Sequence, residues 1–99
     1  MSQKEIAKKV KEAIDSDPNK DYIKCVYLFG SYLHGDAKKD SDLDLLFEPK
    51  RKMGYFKLFA IQKMLTDKLG IEVELLTKNE LSKYIRNQVV KEAKKIYQN

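Results

Sequence analysis

The chain has 99 residues, of which 42% are hydrophobic and 35% are charged, a balance typical of one globular domain with a modest core. No apolar stretch approaches the ~20 residues of a membrane span, and the charged N-terminus lacks the apolar segment of a secretory signal. The net charge of +5 suits phosphate ligands or acidic partners. Direct nucleic-acid binding is not expected, because the sequence has no basic repeat interleaved with aromatic residues.

A helix and then a strand are predicted in the first third of the chain. Ser2 and Glu5 have the spacing of a capping box, and the helix should end near residue 17 because Pro18 disfavours helical geometry before it. The apolar run at 22–30 is rich in aromatic and β-branched residues and stops at a glycine, which predicts a strand. Cys25 lies inside that run. A lone cysteine there indicates a core thiol and a cytoplasmic protein.

Two more strands and two more helices follow. They comprise a strand at 41–49, a helix at 53–70 closed by Gly70, a strand at 71–77, and a final helix that begins with a capping box at Thr77 and Glu80 and runs to Ile96. The predicted order is α-β-β-α-β-α, with three strands in a small sheet packed by helices. This is an α/β (α+β) fold in a single domain, residues 1–99.

Acidic residues alternate along two of the predicted strands. Asp42 and Asp44 should project from one face of their strand, with Cα atoms ~6.6 Å apart, and Glu72 and Glu74 repeat the pattern in the next strand. Three such carboxylates could hold two Mg²⁺ or Mn²⁺ ions, because hard cations prefer oxygen ligands. The alternative is that all four acids line a solvated sheet face.

Gly30 and Ser31 follow the first strand, where a short helix could start. Glycine allows a sharp turn and the close approach of a phosphate, and the serine hydroxyl adds a donor. An ordinary strand-ending turn is the alternative for this pair alone. Asp42 and Asp44 follow after ten intervening residues, so a phosphate cradle would lie beside a metal-binding strand, as needed to hold a nucleoside triphosphate.

The segment GSYLHGDAKKDSDLDL resembles the G-S-x10-D-x-D signature of minimal nucleotidyltransferases, in the DNA polymerase β-like superfamily. The segment VELLT is similar to the family's third-carboxylate strand, and Glu74 falls on the acidic position, with Glu72 as the second choice. The resemblance implies a mixed sheet, binding of the β- and γ-phosphates by Gly30 and Ser31, and two Mg²⁺ ions held by Asp42, Asp44 and Glu74.

Minimal nucleotidyltransferases of this length typically act as antitoxins of HEPN-domain ribonuclease toxins. The resemblance therefore implies transfer of AMP from ATP to a tyrosine of such a toxin, in a hetero-oligomer with it. Two other hypotheses stay open: a non-catalytic antitoxin of the same fold that covers the toxin, and a nucleotidyltransferase that modifies RNA or a small molecule. The intact acids disfavour the former hypothesis and the short chain disfavours the latter.

Several residues around this motif have two possible roles. The family often has arginine after the serine, where this chain has YLHG, so Tyr32, His34, Lys38 or Lys39 could contact phosphate or could belong to a solvated loop. The helix at 53–69 is apolar around much of its circumference, more than one core face needs. Its surplus could bind a partner or could be buried in the core.

Overall fold

The computed structural model describes residues 1–99, which form four α-helices and one four-stranded sheet. In chain order the elements are α1 (Gln3–Asp15), β1 (Ile23–Phe29), α2 (Ser31–His34), β2 (Leu43–Pro49), α3 (Tyr55–Leu69), β3 (Val73–Thr77), α4 (Lys83–Glu92) and β4 (Lys94–Gln98). Short 3₁₀ turns lie at Lys20–Tyr22 and Lys78–Glu80. None of the helices is long and apolar enough to span a membrane.

The sheet has the strand order β3-β2-β1-β4 and is mixed. β1 pairs antiparallel with β2 and with β4, whereas β2 and β3 are parallel. α3 makes the crossover that a parallel pair requires. The predicted fold class, a mixed sheet packed by helices, is confirmed.

The hydrophobic core lies between one face of the sheet and the helices α1 and α3. Leu43, Leu45 and Phe47 of β2 point into it, as the alternation predicts, and are at most 2% exposed. The helices contribute side chains spaced three or four residues apart, among them Ile6, Val10, Ile61 and Leu65. Cys25 and Leu46 are also buried but lie outside this cluster, on the opposite face of the sheet.

Local signals set the ends of α1 and α3. Ser2 accepts a hydrogen bond from the Glu5 backbone N–H, so the predicted cap is present. Gly70 ends α3 in the left-handed conformation. Along α3, the side chains of Thr66 and Gln62 accept hydrogen bonds from the N–H groups of Val73 and Leu75, at 3.1 and 2.9 Å. These bonds tie the helix to the outer edge of β3.

The C-terminal part of the chain differs from the prediction. The final helix ends at Glu92, and Lys94–Gln98 forms a fourth strand paired with β1. Without this strand the second edge of β1 would lack hydrogen-bond partners, and Tyr97, opposite Val26, is buried in the core as a strand residue. Ile96 fits a helical stripe and a strand equally well, so the spacing misled the prediction. The sheet is therefore one strand wider than expected.

The second predicted capping box forms, but around a different element. Thr77 and Glu80 close the 3₁₀ turn Lys78–Glu80, with the Thr77 N–H donating to Glu80 at 2.8 Å. The α-helix begins later, where the Ser82 side chain accepts from the Tyr84 N–H. Leu81 is buried between the two, which separates the turn from the helix.

Candidate functional site

The register of the sheet places Asp44 between Phe29 of β1 and Glu74 of β3. Residues paired across neighbouring strands point to the same face, and these strands lie ~4.8 Å apart. Asp44 and Glu74 therefore lie side by side on the face opposite the main core. Asp44 is half-buried and Glu74 is exposed, so the pair opens towards solvent on the side of β3.

The other two acids of the alternating pairs lie just before their strands. β2 begins at Leu43 and β3 at Val73, so both strands start two residues later than predicted. Glu72 borders a cavity of about 340 Å³ shared with Gln62 and Thr66 of α3, away from Asp44. Asp42 is exposed at the entrance of β2. Of the two candidate glutamates, Glu74 is the one beside Asp44.

The environment of Asp44 disfavours its negative charge. Burial, and then a hydrogen bond with Glu74 and the charges of Glu74 and Asp42, raise the pKa of Asp44 to about 6. A protonated Asp44 can donate to Glu74, which is how two carboxyl groups share a site. Three carboxylates thus act on one another at this point of the sheet.

No three His, Cys, Asp or Glu side chains are grouped as a ready-made metal cage. The donors at Asp44 nevertheless fit a divalent cation, because they are all carboxylate oxygens, the ligands that Mg²⁺ prefers. After burial and the hydrogen bond with Glu74, the negative charges of Glu74 and Asp42 also raise the pKa of Asp44, and a cation would neutralise that charge. Asp42, Asp44 and Glu74 are the residues that would hold Mg²⁺, and the exposed side chains of Asp42 and Glu74 are free to adjust.

The turn after β1 contacts Asp44 directly. Gly30 has φ +77° and ψ −153°, a conformation that L side chains rarely adopt. A Cβ atom at Gly30 would overlap the Asp44 carboxylate. Ser31 then begins the four-residue helix α2, and the Gly30 carbonyl accepts from the Leu33 and His34 N–H groups, at 3.1 and 3.2 Å. The structure thus brings the glycine–serine turn and the acids together.

The structure places the candidate residues of α2 and of the loop after it at two other positions. Tyr32, Lys38 and Lys39 border a cavity of about 480 Å³ next to Gly35. The His34 Nε2 atom lies 3.2 Å from the Glu92 carboxylate at the end of α4. His34 therefore links α2 to α4, a contact that the sequence pattern did not predict.

One feature of this face was not predicted at all. A cavity of about 510 Å³ borders the open face beyond Asp44, with Tyr27, Leu46 and Val90 among its walls. The only sequence signal is Leu46, an apolar residue on the face of β2 that otherwise carries Asp44 and Glu48. Such an interruption of the alternation indicates that another element of the fold covers this part of the face.

Replacing Asp44 with asparagine should raise the melting temperature in EDTA at pH 7. A folded pKa of about 6, above the unfolded value of 3.8, means that the fold loses stability as pH rises through this interval. The loss is about 1 kcal/mol, since the group is partly exposed and solvent screens it. Thermal melts from pH 4 to 7 should show the difference between variant and parent growing with pH. Asp40→Asn, in the exposed loop, should show no such growth, and a pH-independent difference for Asp44→Asn would contradict the account.

Comparison with known protein families gives one matching family, described as "Polymerase beta, Nucleotidyltransferase", over residues 8–99. A protein of Methanocaldococcus jannaschii named as a candidate protein adenylyltransferase is 33% identical over 87 residues, which are 87% of this chain and 86% of that protein. The protein adenylyltransferase MntA of Thermococcus cleftensis is 33% identical over 70 residues, 71% of each chain.

Solved structures show the same fold. A candidate minimal nucleotidyltransferase superposes with a TM-score of 0.72 at 29% identity, over 94% of both chains. A toxin–antitoxin structure with AMP-PNP has a TM-score of 0.74 at 23% identity, over 94% of this chain and 73% of that one. The complex of a tri-AMPylated Shewanella oneidensis HEPN toxin with an MNT antitoxin has a TM-score of 0.68 at 21% identity, over 98% of this chain and 73% of that one.

Proposed function

Because the chain belongs to the polymerase beta nucleotidyltransferase family, we propose that it transfers AMP from ATP to a tyrosine of a HEPN-domain toxin and acts as the antitoxin of that pair. The observation that carries this proposal is the position of Asp44, with Gly30 on one side and Glu74 on the other. The names of relatives support the reaction, since they include protein adenylyltransferases. A structural neighbour that is a HEPN toxin–antitoxin complex supports the partner.

In this proposal the chain's own residues bind and orient the reactants across the strands. The turn at Gly30 and Ser31 holds the β- and γ-phosphates through its backbone and the serine hydroxyl. The α-phosphate then lies over Asp44. Glu74, exposed on β3, faces the incoming tyrosine hydroxyl. The face of the sheet therefore holds the leaving pyrophosphate, the α-phosphorus and the tyrosine oxygen in one line.

The tyrosine oxygen attacks the α-phosphorus, and the bond between that phosphorus and the oxygen bridging to the β-phosphate breaks. Pyrophosphate leaves from the Gly30–Ser31 side, and the hydroxyl proton passes to the Glu74 carboxylate. Asp42, Asp44 and Glu74 would hold Mg²⁺, which when bound would neutralise charge on the phosphate oxygens. The product is tyrosine-linked AMP on the toxin.

The proposal is tested with the cognate toxin, Mg²⁺ and ATP labelled at either the α- or the γ-phosphate. We expect the α-label, but not the γ-label, to appear on the toxin, with a mass increase of one AMP on a tyrosine-containing peptide. Label from the γ-position would indicate phosphoryl transfer instead. Binding of the toxin with no label from either position would favour the non-catalytic antitoxin.

Ser31→Ala should weaken triphosphate binding more than monophosphate binding. Its hydroxyl is proposed to reach a terminal phosphate and not the α-phosphate, so only ATP loses a hydrogen bond, worth about tenfold in affinity. Calorimetry with ATP and with AMP, both with Mg²⁺, measures the two losses. Ser41→Ala, in the loop before β2, is the matched control. Equal losses for ATP and AMP would refute the placement of Ser31.

An exposed aromatic patch supports a protein partner. Tyr55, Phe56 and Phe59 at the start of α3 are 71%, 93% and 59% exposed, and the rings of Tyr55 and Phe59 stack with centroids 6.0 Å apart. At these three positions the apolar surplus of α3 lies on the surface and not in the core. Aromatic residues are enriched at the centres of protein interfaces, which suits a toxin that must be held while it is modified.

Phe56→Ser should therefore weaken association with the toxin by at least about tenfold, as for a residue near the centre of an interface. The fold should be unchanged, because the side chain is almost wholly exposed. Tyr84→Ser on α4, an aromatic residue that is 86% exposed and not part of this patch, serves as the matched control. Association can be measured by biolayer interferometry, and an unchanged affinity for the Phe56 variant would remove this patch from the interface.

A further inference from the structure

The one-turn helix α2 depends on other parts of the chain for its position. It has four residues, Ser31–His34, and a helix this short is not stable by itself in water. The turn before it, at Gly30, contacts Asp44. A helix also leaves its last carbonyl groups without partners inside the helix, so the Leu33 carbonyl needs a donor from elsewhere. Whatever holds the end of α2 therefore also decides where the Gly30–Ser31 turn lies.

The donor to this carbonyl comes from the first helix of the chain. The Gln3 side-chain Nε2 atom donates to the Leu33 carbonyl at 3.1 Å. Lys94 of β4 donates to the other end of the same amide, the Gln3 Oε1 atom, at 3.3 Å. Because a lysine ammonium can only donate, this contact turns the amide so that its Nε2 atom faces Leu33. Gln3 is thus an oriented bridge between β4 and α2.

A second contact reaches the end of α2 from α4. The His34 Nε2 atom lies 3.2 Å from the Glu92 Oε2 atom. The other carboxylate oxygen, Glu92 Oε1, accepts from the Gln88 side chain, one turn earlier on α4, at 3.3 Å. The carboxylate is therefore oriented by its own helix while it contacts α2. Gln3 and Glu92 together hold the last two residues of α2, Leu33 and His34.

We infer that Gln3 and Glu92 are positioning residues for the turn that holds the β- and γ-phosphates. The inference rests on the proposed function, through the placement of the triphosphate at Gly30 and Ser31. Neither side chain touches phosphate. Each acts through α2, whose displacement would move the Ser31 hydroxyl and the backbone N–H groups of the turn together. The α-phosphate, over Asp44, does not use α2, so its binding should not depend on the two contacts.

The main test variant is Gln3→Met, which removes both hydrogen bonds of the bridge with little change in size or helix propensity. Gln98→Met is the matched control. The Gln98 side chain also accepts from a nearby lysine, Lys95, at 3.0 Å, but it lies opposite Cys25, at the other end of β1 from α2. Calorimetry with Mg²⁺-ATP and with Mg²⁺-AMP measures the affinities, and circular dichroism verifies that each variant is folded.

We expect Gln3→Met to lower the affinity for ATP about fivefold, the scale of a net hydrogen bond, and to leave the affinity for AMP unchanged. Gln98→Met should alter neither affinity. In the transfer assay, the KM of the Gln3 variant for ATP should rise and its KM for the toxin should not. A contact that only stabilised the fold would not separate ATP from AMP, or one KM from the other.

Glu92→Met tests the second contact with a sign that ordinary electrostatics opposes. Loss of a negative charge would by itself tighten the binding of ATP, which is an anion. We expect the opposite result, weaker binding of ATP with unchanged binding of AMP, because α2 loses its contact with α4.

Unchanged ATP affinity in both variants, with Ser31→Ala still lowering it, would overturn the inference and leave the proposed function standing. Equal losses for ATP and AMP would also overturn the inference, because they would show a general effect on the fold. A parent that binds ATP no more tightly than AMP would overturn both the inference and the proposed placement of the phosphates. A parent that shows the expected affinities but transfers no AMP would overturn the proposed transfer alone.

Discussion

Asp44→Asn should lower the rate of AMP transfer to the toxin by at least about a hundredfold, the usual cost of removing one group that stabilises transition-state charge. Asp44 is the carboxylate that contacts the glycine turn, pairs with Glu74 and would hold Mg²⁺. Asparagine keeps its size and removes its charge. The fold should stay intact and even gain stability, as argued from the raised pKa. Single-turnover transfer of the α-label measures the effect.

Glu72, just before β3, and Glu74, within it, give this experiment an internal control. Glu74→Gln should lower the transfer rate strongly, because Glu74 lies beside Asp44. Glu72→Gln should leave the rate within about twofold of the parent, since Glu72 lies beside α3 and surface changes are usually mild. Transfer at the parental rate by Asp44→Asn would remove the catalytic assignment. A loss with Glu72→Gln and none with Glu74→Gln would exchange the roles of the two glutamates.

Gly30→Ala should damage both stability and transfer. The positive φ with extended ψ is essentially restricted to glycine and costs about 1–3 kcal/mol for other residues. The added methyl would also overlap the Asp44 carboxylate, so Asp44 must move. A displacement of this order in a reacting constellation can cost about a hundredfold in rate. Thermal melts and the α-label assay together measure the two losses.

Gly35→Ala is the matched control for that substitution. Gly35 also has a positive φ, +79°, but a Cβ there would meet no atom within 4 Å. The Gly35→Ala variant should lose about 1 kcal/mol of stability from backbone strain alone and keep most of its transfer rate. If both variants transferred AMP equally well per folded molecule, the contact of Gly30 with Asp44 would have no catalytic meaning.

The first three strands and the site motif were predictable because the local sequence pattern there favours the same conformation as the packing of the fold. Leu43, Leu45 and Phe47 alternate with Asp44 and Glu48, as in a strand with one face in the core. The fourth strand was missed because Lys94–Gln98 has no local signal that separates strand from helix. Its conformation is set by the unpaired edge of β1, a partner distant in sequence.

The proximity of Gly30, Asp44 and Glu74 was predictable from the sequence, but the surroundings of these residues were not, and their roles stay predictions. The spacing between Ser31 and Asp42 is visible in the sequence, as is the alternation around Glu74. The choice between Glu72 and Glu74 needed the register of two parallel strands. The cavity at Leu46 and Val90 needed the position of α4 over the sheet, which no short-range pattern encodes.

The hydrogen bonds from Val73 and Leu75 to the side chains of α3 restrict how another protein can bind this sheet. Many partners attach by adding an extended segment to an open strand edge, using main-chain donors that would otherwise be free. On β3 those donors are already taken by Thr66 and Gln62. Strand addition at this edge is thereby blocked, and so is the edge-to-edge association that leads to aggregation. A partner approaching Glu74 must recognise side chains.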